Sequence, residues 1–411
     1  MAGISARYAA RSLRRNVRRT ILSVVGIGIG CALALYIDCV NRGKDELYVR
    51  SAAESGAGHI RVIPAGWSGT RDPDLRLRDW RRDLEAARSL PGVEVAVPRA
   101  RAQVLLALGT HVVPVEMTGV DPAVEPRAFR FVRHMSRGRY LRSGAAEEMV
   151  VGRAIADRLG ADLGDEILAS TVDAAGDIQG AMFRIAGVVS TGSEDIDSGI
   201  CQVGLSDLER LTGRAGASEV TVLLRDWTQA SKAEEALAAR AASGDEVLTW
   251  RSLSPEFEGH LKQDTAASHV VTAIIILIVL LGVTSAQLAA VLERRREFAV
   301  LSAIGMDGGR LVRLVLEEGL ALGLAGALAG ILIALPFLWH LAARGLDFRG
   351  WMGPDYSFAG LIVEPVLYGD LGIWILPEAF LISLGATILA SLYPAWYAAR
   401  TDPAVALRVA P

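Results

Sequence analysis

Three things this chain lacks limit what it can do. There is no G-x-x-x-x-G-K-[ST] phosphate loop, so any nucleotide-driven work must be powered by a separate subunit. There is no HExxH, paired CxxC or GxSxG, and His59, His111, His134 and His260 lie scattered, which removes the signatures of zinc peptidases, zinc ribbons and serine hydrolases. Cysteine is scarce, with only Cys31, Cys39 and Cys201 in 411 residues. That excludes a disulfide framework and leaves three unpaired thiols, or a single Cys39–Cys201 bridge, as the alternatives.

Charge is missing from four stretches: Thr20 to Ile37, Thr265 to Leu292, Gly319 to Ala343 and Ala379 to Ala399 contain no Asp, Glu, Lys or Arg. A hydrocarbon core about 30 Å thick takes roughly 20 helical residues. With 51% hydrophobic residues and a mean hydropathy of +0.33, the chain is expected to be an α-helical membrane protein with four transmembrane helices, at 20–40, 265–292, 319–343 and 377–399. His269, Gln287 and His340 are the main polar exceptions within the runs, which favours a lever over a solute channel.

Positive charge sets the orientation. Arg7, Arg11, Arg14, Arg15, Arg18 and Arg19 precede the first run, and Arg294, Arg295, Arg296, Arg310 and Arg313 lie between the second and third. The stretch from Arg344 to Asp370 mixes Arg344 and Arg349 with Asp347, Asp355, Glu364 and Asp370. Both termini are therefore expected to be cytoplasmic, with segments 41–264 and 344–376 outside. The net charge of −3 conceals this asymmetry, which reads as topology and not as nucleic-acid binding. A cleaved leader ending near Ala32-Leu33-Ala34 is the alternative for the first run, and would leave three helices.

Segment 41–264 is too long to be a loop. β-like runs (HIRVIP, VEVAVP, RAQVLLAL, VVPVEMTGV, FRIAGVV, GICQVGL, EVTVLL) alternate with helical ones (DWRRDLEAARSL, VGRAIADRLGA, LSDLERLTG, TQASKAEEALAARAA). This predicts a large mixed α+β extracytoplasmic domain inserted between helices 1 and 2, in two lobes divided near Arg139 to Glu148. In GSEDIDSG, Glu194, Asp195 and Asp197 suggest calcium, but the remaining ligands of an EF-hand loop are absent, so a solvated turn is expected.

Between helices 2 and 3, LERRREFAVLSAIGMDGGRLVRLVLEEG places Phe298, Leu301 and Ile304 at three-residue steps, with Val300 one turn from Ile304. Gly305 suits a left-handed helix end, and Asp307 can cap the next helix. The spacing predicts a helical elbow with one apolar stripe, which either lies on the membrane surface or fits a groove on a soluble partner.

These residues carry a resemblance. ERRREFAVLSAIGMDGGRLVRLVLEEG, RRNVRRTILSVVGIGIG at the start and YPAWYAARTDPAVALR at the end, with MTGVDPAVEP, VVGRAIADRLGADLGDEI and TWRSLSPEF between, resemble a permease subunit of the ABC transporter family that includes the lipoprotein-releasing LolC and LolE proteins, the MacB exporter and FtsX. The layout, with no fused ATPase and a large exported domain, is most similar to the lipoprotein-releasing pair.

The resemblance implies that segment 293–318 couples to a cytoplasmic ATPase dimer that binds ATP and Mg, this chain holding no cofactor. Its expected contacts are Arg294, Arg295, Arg296, Glu297, Phe298, Leu301, Ile304 and Gly305, with Glu317 and Glu318 nearby. The tail supports it with Arg400, Asp402, Pro403, Leu407 and Arg408, where Asp402-Pro403 reads as a helix start. Further expectations are a bacterial inner-membrane location, a second permease copy or paralogue, contact with lipid, and a periplasmic lipoprotein or adaptor. The work implied is mechanotransmission that releases lipoproteins or another amphiphile, or alternatively MacB-like efflux or FtsX-like activation of a cell-wall hydrolase.

Overall fold

The computed structural model describes residues 17–400, apart from 71, 145, 243, 254, 353–355 and 359–360. The predicted second tail helix, with Asp402, Pro403, Leu407 and Arg408, lies outside the described residues. Two compact units account for the described residues: those up to 44, from 261 to 346 and from 367 onward form one, and those of 45–260 with 347–366 form the other.

Among the described residues, the first unit is built from four helices long and apolar enough to cross a membrane. Two of them far outrun their apolar stretches. The first, Val17–Ala52, has 36 residues and the second, Pro255–Glu293, has 39, about 54 and 58 Å at 1.5 Å per residue, nearly twice a hydrocarbon core. The third, Gly308–Arg344, and the fourth, Ile375–Ala399, pack closely through small residues. Gly319 and Gly323 lie against Ser391 and Thr387 of the fourth helix, and those hydroxyls bond back to Thr387 O (2.5 Å) and Ser383 O (2.7 Å) of their own helix. About two turns further along the third helix, Gly330 faces Cys31 of the first, and a Cβ there would stand 2.7 Å from that of Cys31. Of the three polar exceptions in the runs, His269 and His340 are exposed and Gln287 is buried.

The second unit is the inserted domain. The strands of its main segment, 45–260, are β1 (Ile60–Ile63), β2 (Val93–Leu108), β3 (His111–Val120), β4 (Met135–Gly138), β5 (Glu148–Gly152), β6 (Glu166–Val172), β7 (Ile178–Val189), β8 (Cys201–Gly204), β9 (Glu219–Leu224) and β10 (Glu246–Thr249). Its main helices are α1 (Trp80–Arg88), α2 (Arg153–Leu159), α3 (Glu194–Gly199), α4 (Leu205–Thr212) and α5 (Ala230–Ala238). VEVAVP and RAQVLLAL, separate runs in the sequence, are one 16-residue strand. All ten strands join one sheet in which β2, β3, β8, β5, β7 and β6 form a closed hydrogen-bonded ring, β6 returning to β2. Alternation along β2 turns Ala102, Val104 and Leu106 into the ring and leaves Gln103 and Leu105 outside. Met117, Met149, Ile167 and Phe183 complete that interior.

Beyond the ring, β9, β1 and β10 extend the sheet over a second core that includes Leu84 and Ala87 of α1 and Leu237 of α5. Residues 139–148 do not separate two lobes, because strands from both sides of them share the ring. The long antiparallel β2 belongs to both halves. Residues 347–366, from the segment joining the third and fourth membrane helices, also belong to this unit: Ile362 is buried beside Phe129 and Phe131, its N–H donates to Ser55 Oγ (3.1 Å), and Glu364 pairs with Arg130 at 3.3 Å. GSEDIDSG is no solvated turn. It folds as α3, and buried Asp197 accepts from the N–H (2.9 Å) and Oγ1 (2.7 Å) of Thr191.

Candidate functional site: the elbow and the root of the inserted domain

The elbow is a break, a short helix and a tight turn. Arg294, at φ −100° and ψ 13°, interrupts the second membrane helix, and a nine-residue helix follows over Arg295–Ala303. Gly305 ends it with φ +98°, the N–H groups of Gly305 and Met306 donating to Ser302 O and Leu301 O, each at 3.0 Å. A side chain in that conformation would be strained, which is why glycine stands there. Asp307 then accepts from Gly309 N–H at 3.2 Å and starts the third membrane helix.

The stripe read from three-residue spacing divides in space. Phe298 is 2% exposed, packed with Val291, Leu311, Leu314, Val315, Ala395 and Ala398 of the chain's own helices, with Leu301 at the edge, and Ala299 beside it is equally buried. Val300 and Ile304, 45% and 79% exposed, point the other way together with Arg296. The reason is rotation. At about 100° per residue, each three-residue step falls about 60° short of a full turn, so Ile304 is about 120° from Phe298 around the axis. The outward stripe is therefore Arg296, Val300 and Ile304, at steps of four. Phe298 is a hinge-core residue.

Charges brace the inner side. Arg294, nearly buried, pairs with Glu297 (3.2 Å) and Glu318 (3.0 Å), and its guanidinium lies 5.1 Å from the centre of the Phe298 ring. Arg313 pairs with Glu317 at 2.9 Å one turn away. Arg295 is half-buried and Glu293 exposed. Arg400, the last described residue, stacks 4.6 Å over Trp396 at the end of the fourth membrane helix. Thus Glu318 is brought to Arg294, while Arg400 has its own aromatic partner.

Sequence reasoning missed a second cluster, inside the inserted domain. The first membrane helix ends in a wide turn over Ala53–Ala57, where Gly56 has φ +123°. Arginines from the sheet hold its carbonyls: Arg61 Nε donates to Ala57 O (2.7 Å), and Arg61 Nη2 and Arg99 Nη1 to Gly56 O (3.0 Å each). Cations suit the negative end of a helix dipole. Behind them Arg101 bridges Glu116 (2.5 Å) and Glu219 (3.1 Å), Arg61 reaches Glu219 (3.3 Å), and Arg99 pairs with the fully buried Glu125. Burial alone would raise the Glu219 carboxyl, but Arg101, Arg61 and Arg99 outweigh it and hold it at about 2. Burial outweighs Glu219 at Arg61, which falls to about 10. Next to this anchor β1 and β10 pair antiparallel, Ile60 opposite Thr249, and Trp250 N–H donates to His59 O at 3.0 Å. The strand that follows the first membrane helix and the strand that precedes the second are hydrogen-bonded neighbours. The signal for this was a run of arginines on β1 and β2, visible only once the partner acids are placed.

Comparison with known proteins agrees with this architecture. The family described as MacB-like periplasmic core domain matches residues 20–240, and that described as FtsX-like permease C-terminal matches 269–403. The lipoprotein-releasing system transmembrane protein LolC of Xylella fastidiosa is 25% identical over 422 residues, covering 98% of both chains. The macrolide export ATP-binding/permease protein MacB of Brucella abortus is 27% identical over 417 residues, 98% of this chain and 59% of that one. Among solved structures, the periplasmic region of MacB from Actinobacillus actinomycetemcomitans is 15% identical with a TM-score of 0.36, covering 49% of this chain and 94% of that one. The chain therefore belongs to the family with a MacB-like periplasmic core domain and an FtsX-like permease C-terminal region, and is a multi-pass ABC transporter permease of the MacB/LolC type.

Proposed function

We propose that this chain works as a mechanical transmitter. A separate ATPase dimer binds ATP and Mg and docks on the outward stripe Arg296, Val300 and Ile304, with both termini of the permease on that cytoplasmic side. Closure of the dimer moves the elbow, and the first and second membrane helices carry the motion to the inserted domain. The observation that carries this reading is the pairing of β1 with β10: both helices lead into adjacent strands at the edge of one sheet, so relative sliding of the helices must shear or tilt that edge. The arginine anchor on Gly56 and Ala57 supports the same reading, since a lever needs a fixed attachment.

A homodimer or a pair with a paralogue supplies the second permease. The cargo is a lipoprotein or another amphiphile taken from the outer leaflet, a reading supported by similarity to LolC over nearly the full length of both chains. Efflux with a periplasmic adaptor is the second reading, supported by the match to MacB.

The test is affinity purification from detergent-solubilised native membranes, with the co-purifying proteins identified and their ATPase activity assayed. A soluble ATPase should come down, and a crosslink locking the two inserted domains together should stop cargo release while nucleotide binding persists. Absence of an ATPase under conditions that preserve related complexes overturns the reading, as does cargo release that survives the crosslink.

A further inference from the structure

A groove of about 610 Å³ on the inserted domain takes no part in the coupling reading. It lies between α1, Pro98 of β2, the turn after β3, the residues Arg142, Gly144 and Ala146, and the start of α4. Its floor is apolar, with Trp80, Leu84, Pro98, Pro122 and Leu205, and its rim carries Arg81, Arg88, Arg142 and Arg210.

The charges at this rim are unevenly engaged. The three acids that line the groove are held by the fold. Asp121 accepts from Ala123 N–H (3.0 Å) and Glu209 from Gly216 N–H (2.6 Å). Asp207, buried, accepts from Glu147 N–H (3.2 Å) and pairs with Arg210. Arg88 donates to a backbone carbonyl, Ala96 O, at 3.3 Å. Arg81 lies 4.5 Å from the centre of the Trp80 ring, and Arg142 donates its backbone N–H to Glu148, whose carboxylate its charge also helps to hold in the ionised form. The lining sets four arginines, Arg81, Arg88, Arg142 and Arg210, against three carboxylates, Asp121, Asp207 and Glu209, and the excess of positive charge beside an apolar floor is one that a carboxylate-bearing ligand satisfies with charge-assisted hydrogen bonds.

We propose that this groove binds a short acidic segment of a polypeptide, its carboxylates on Arg81, Arg142 and Arg88 and its apolar side chains over Trp80 and Leu84. The volume is in the range of known ligand clefts, roughly 300–1,000 Å³, and the mixture of apolar floor and arginine rim fits an extended peptide that alternates acidic and apolar residues better than an isolated anion. Nothing in this assignment depends on a partner ATPase, so it stands or falls separately from the coupling reading.

The full chain in zwitterionic nanodiscs, with no nucleotide, is titrated against a fluorescein-labelled peptide alternating glutamate and leucine, followed by anisotropy. Saturable binding is expected, with Arg81→Ala/Arg142→Ala weakening it at least about tenfold and Arg81→Lys/Arg142→Lys recovering part of the loss. Raising salt from about 50 to about 300 mM should weaken binding several-fold. Both arginines are exposed, so the variants should fold, and Arg153→Ala, an exposed arginine outside the groove, should bind as the parent does. No saturable binding up to millimolar peptide overturns the proposal, and so does equal binding by the double alanine variant. Displacement of the peptide by millimolar inorganic phosphate, or preferential binding of vesicles rich in anionic lipid with the same arginine dependence, overturns the assignment to polypeptide.

Discussion

Ile304→Asp and Phe298→Ala separate the two faces of the elbow. Ile304 is 79% exposed, so a charge there meets water in the free chain and should alter its stability by no more than about 0.5 kcal/mol. If an ATPase groove covers Ile304, its burial contributes about 1.5–3 kcal/mol, roughly 10- to 150-fold in affinity, and a carboxylate in its place costs still more. Phe298 is 2% exposed, packed in the chain's own core and topped by Arg294. Removing its ring should cost about 3–5 kcal/mol of stability, with the Arg294 stack adding to the loss. The assay is co-elution with the partner ATPase in nanodiscs, stimulated ATP hydrolysis, and thermal unfolding of the permease alone. Ile304→Asp should lose co-elution and stimulation at unchanged thermal stability, while Phe298→Ala should lower thermal stability first. Normal coupling by both Ile304→Asp and Val300→Asp would refute the docking stripe and leave the elbow as a membrane-surface anchor.

Arg99→Ala should destabilise the inserted domain by about 3–5 kcal/mol, because it strands the fully buried Glu125 without its cation; limited proteolysis near Gly56 reports the loss, and Arg99→Lys should recover only part of it. Gly323→Leu should separate the third and fourth membrane helices, since a Cβ alone would already stand 3.3 Å from Ser383 O and from Thr387 Cβ. Gly385→Ala, with nothing within 4 Å, should leave thermal stability unchanged. Asp245 gives a pH signature. Burial and neighbouring Asp83, whose Oδ1 is held by Ala242 N–H at 2.8 Å, raise its carboxyl from 3.8 to about 6. The folded state then binds the extra proton, so this contribution to stability is full below pH 3.8 and is lost as pH rises through 6. Asp245→Asn should raise thermal stability at pH 7 and flatten the decline between pH 4 and 6; an unchanged profile would remove Asp245 as its source.

Local chemistry was legible in the chain itself. Four runs without charge leave no choice but apolar surroundings, and the described residues form four helices long and apolar enough to span. Gly305 and Asp307 announced the turn of the elbow because a positive φ and a capping carboxylate are properties of one residue and its nearest neighbours. Apolar, β-branched runs bounded by turn residues marked β1, β3, β7, β8, β9 and the two parts of β2, since strand propensity and turn chemistry are local properties.

Whatever required a partner distant in sequence was decided only by the tertiary structure. Which side of the elbow faces inward depends on Ala395 and Ala398, nearly a hundred residues away, covering Phe298. The closure of the ring through β6, the burial of Ile362 in a domain that otherwise ends before the second membrane helix, and the meeting of Arg99 with Glu125 and of Arg101 with Glu219 all follow from long-range pairing. A charge in a sequence has a sign but no neighbour, and the fold supplies the neighbour: it turned Asp197 from a solvated acid into a buried acceptor for Thr191, gave each acid of the α1–α4 groove a backbone N–H, and left Arg81 and Arg142 exposed.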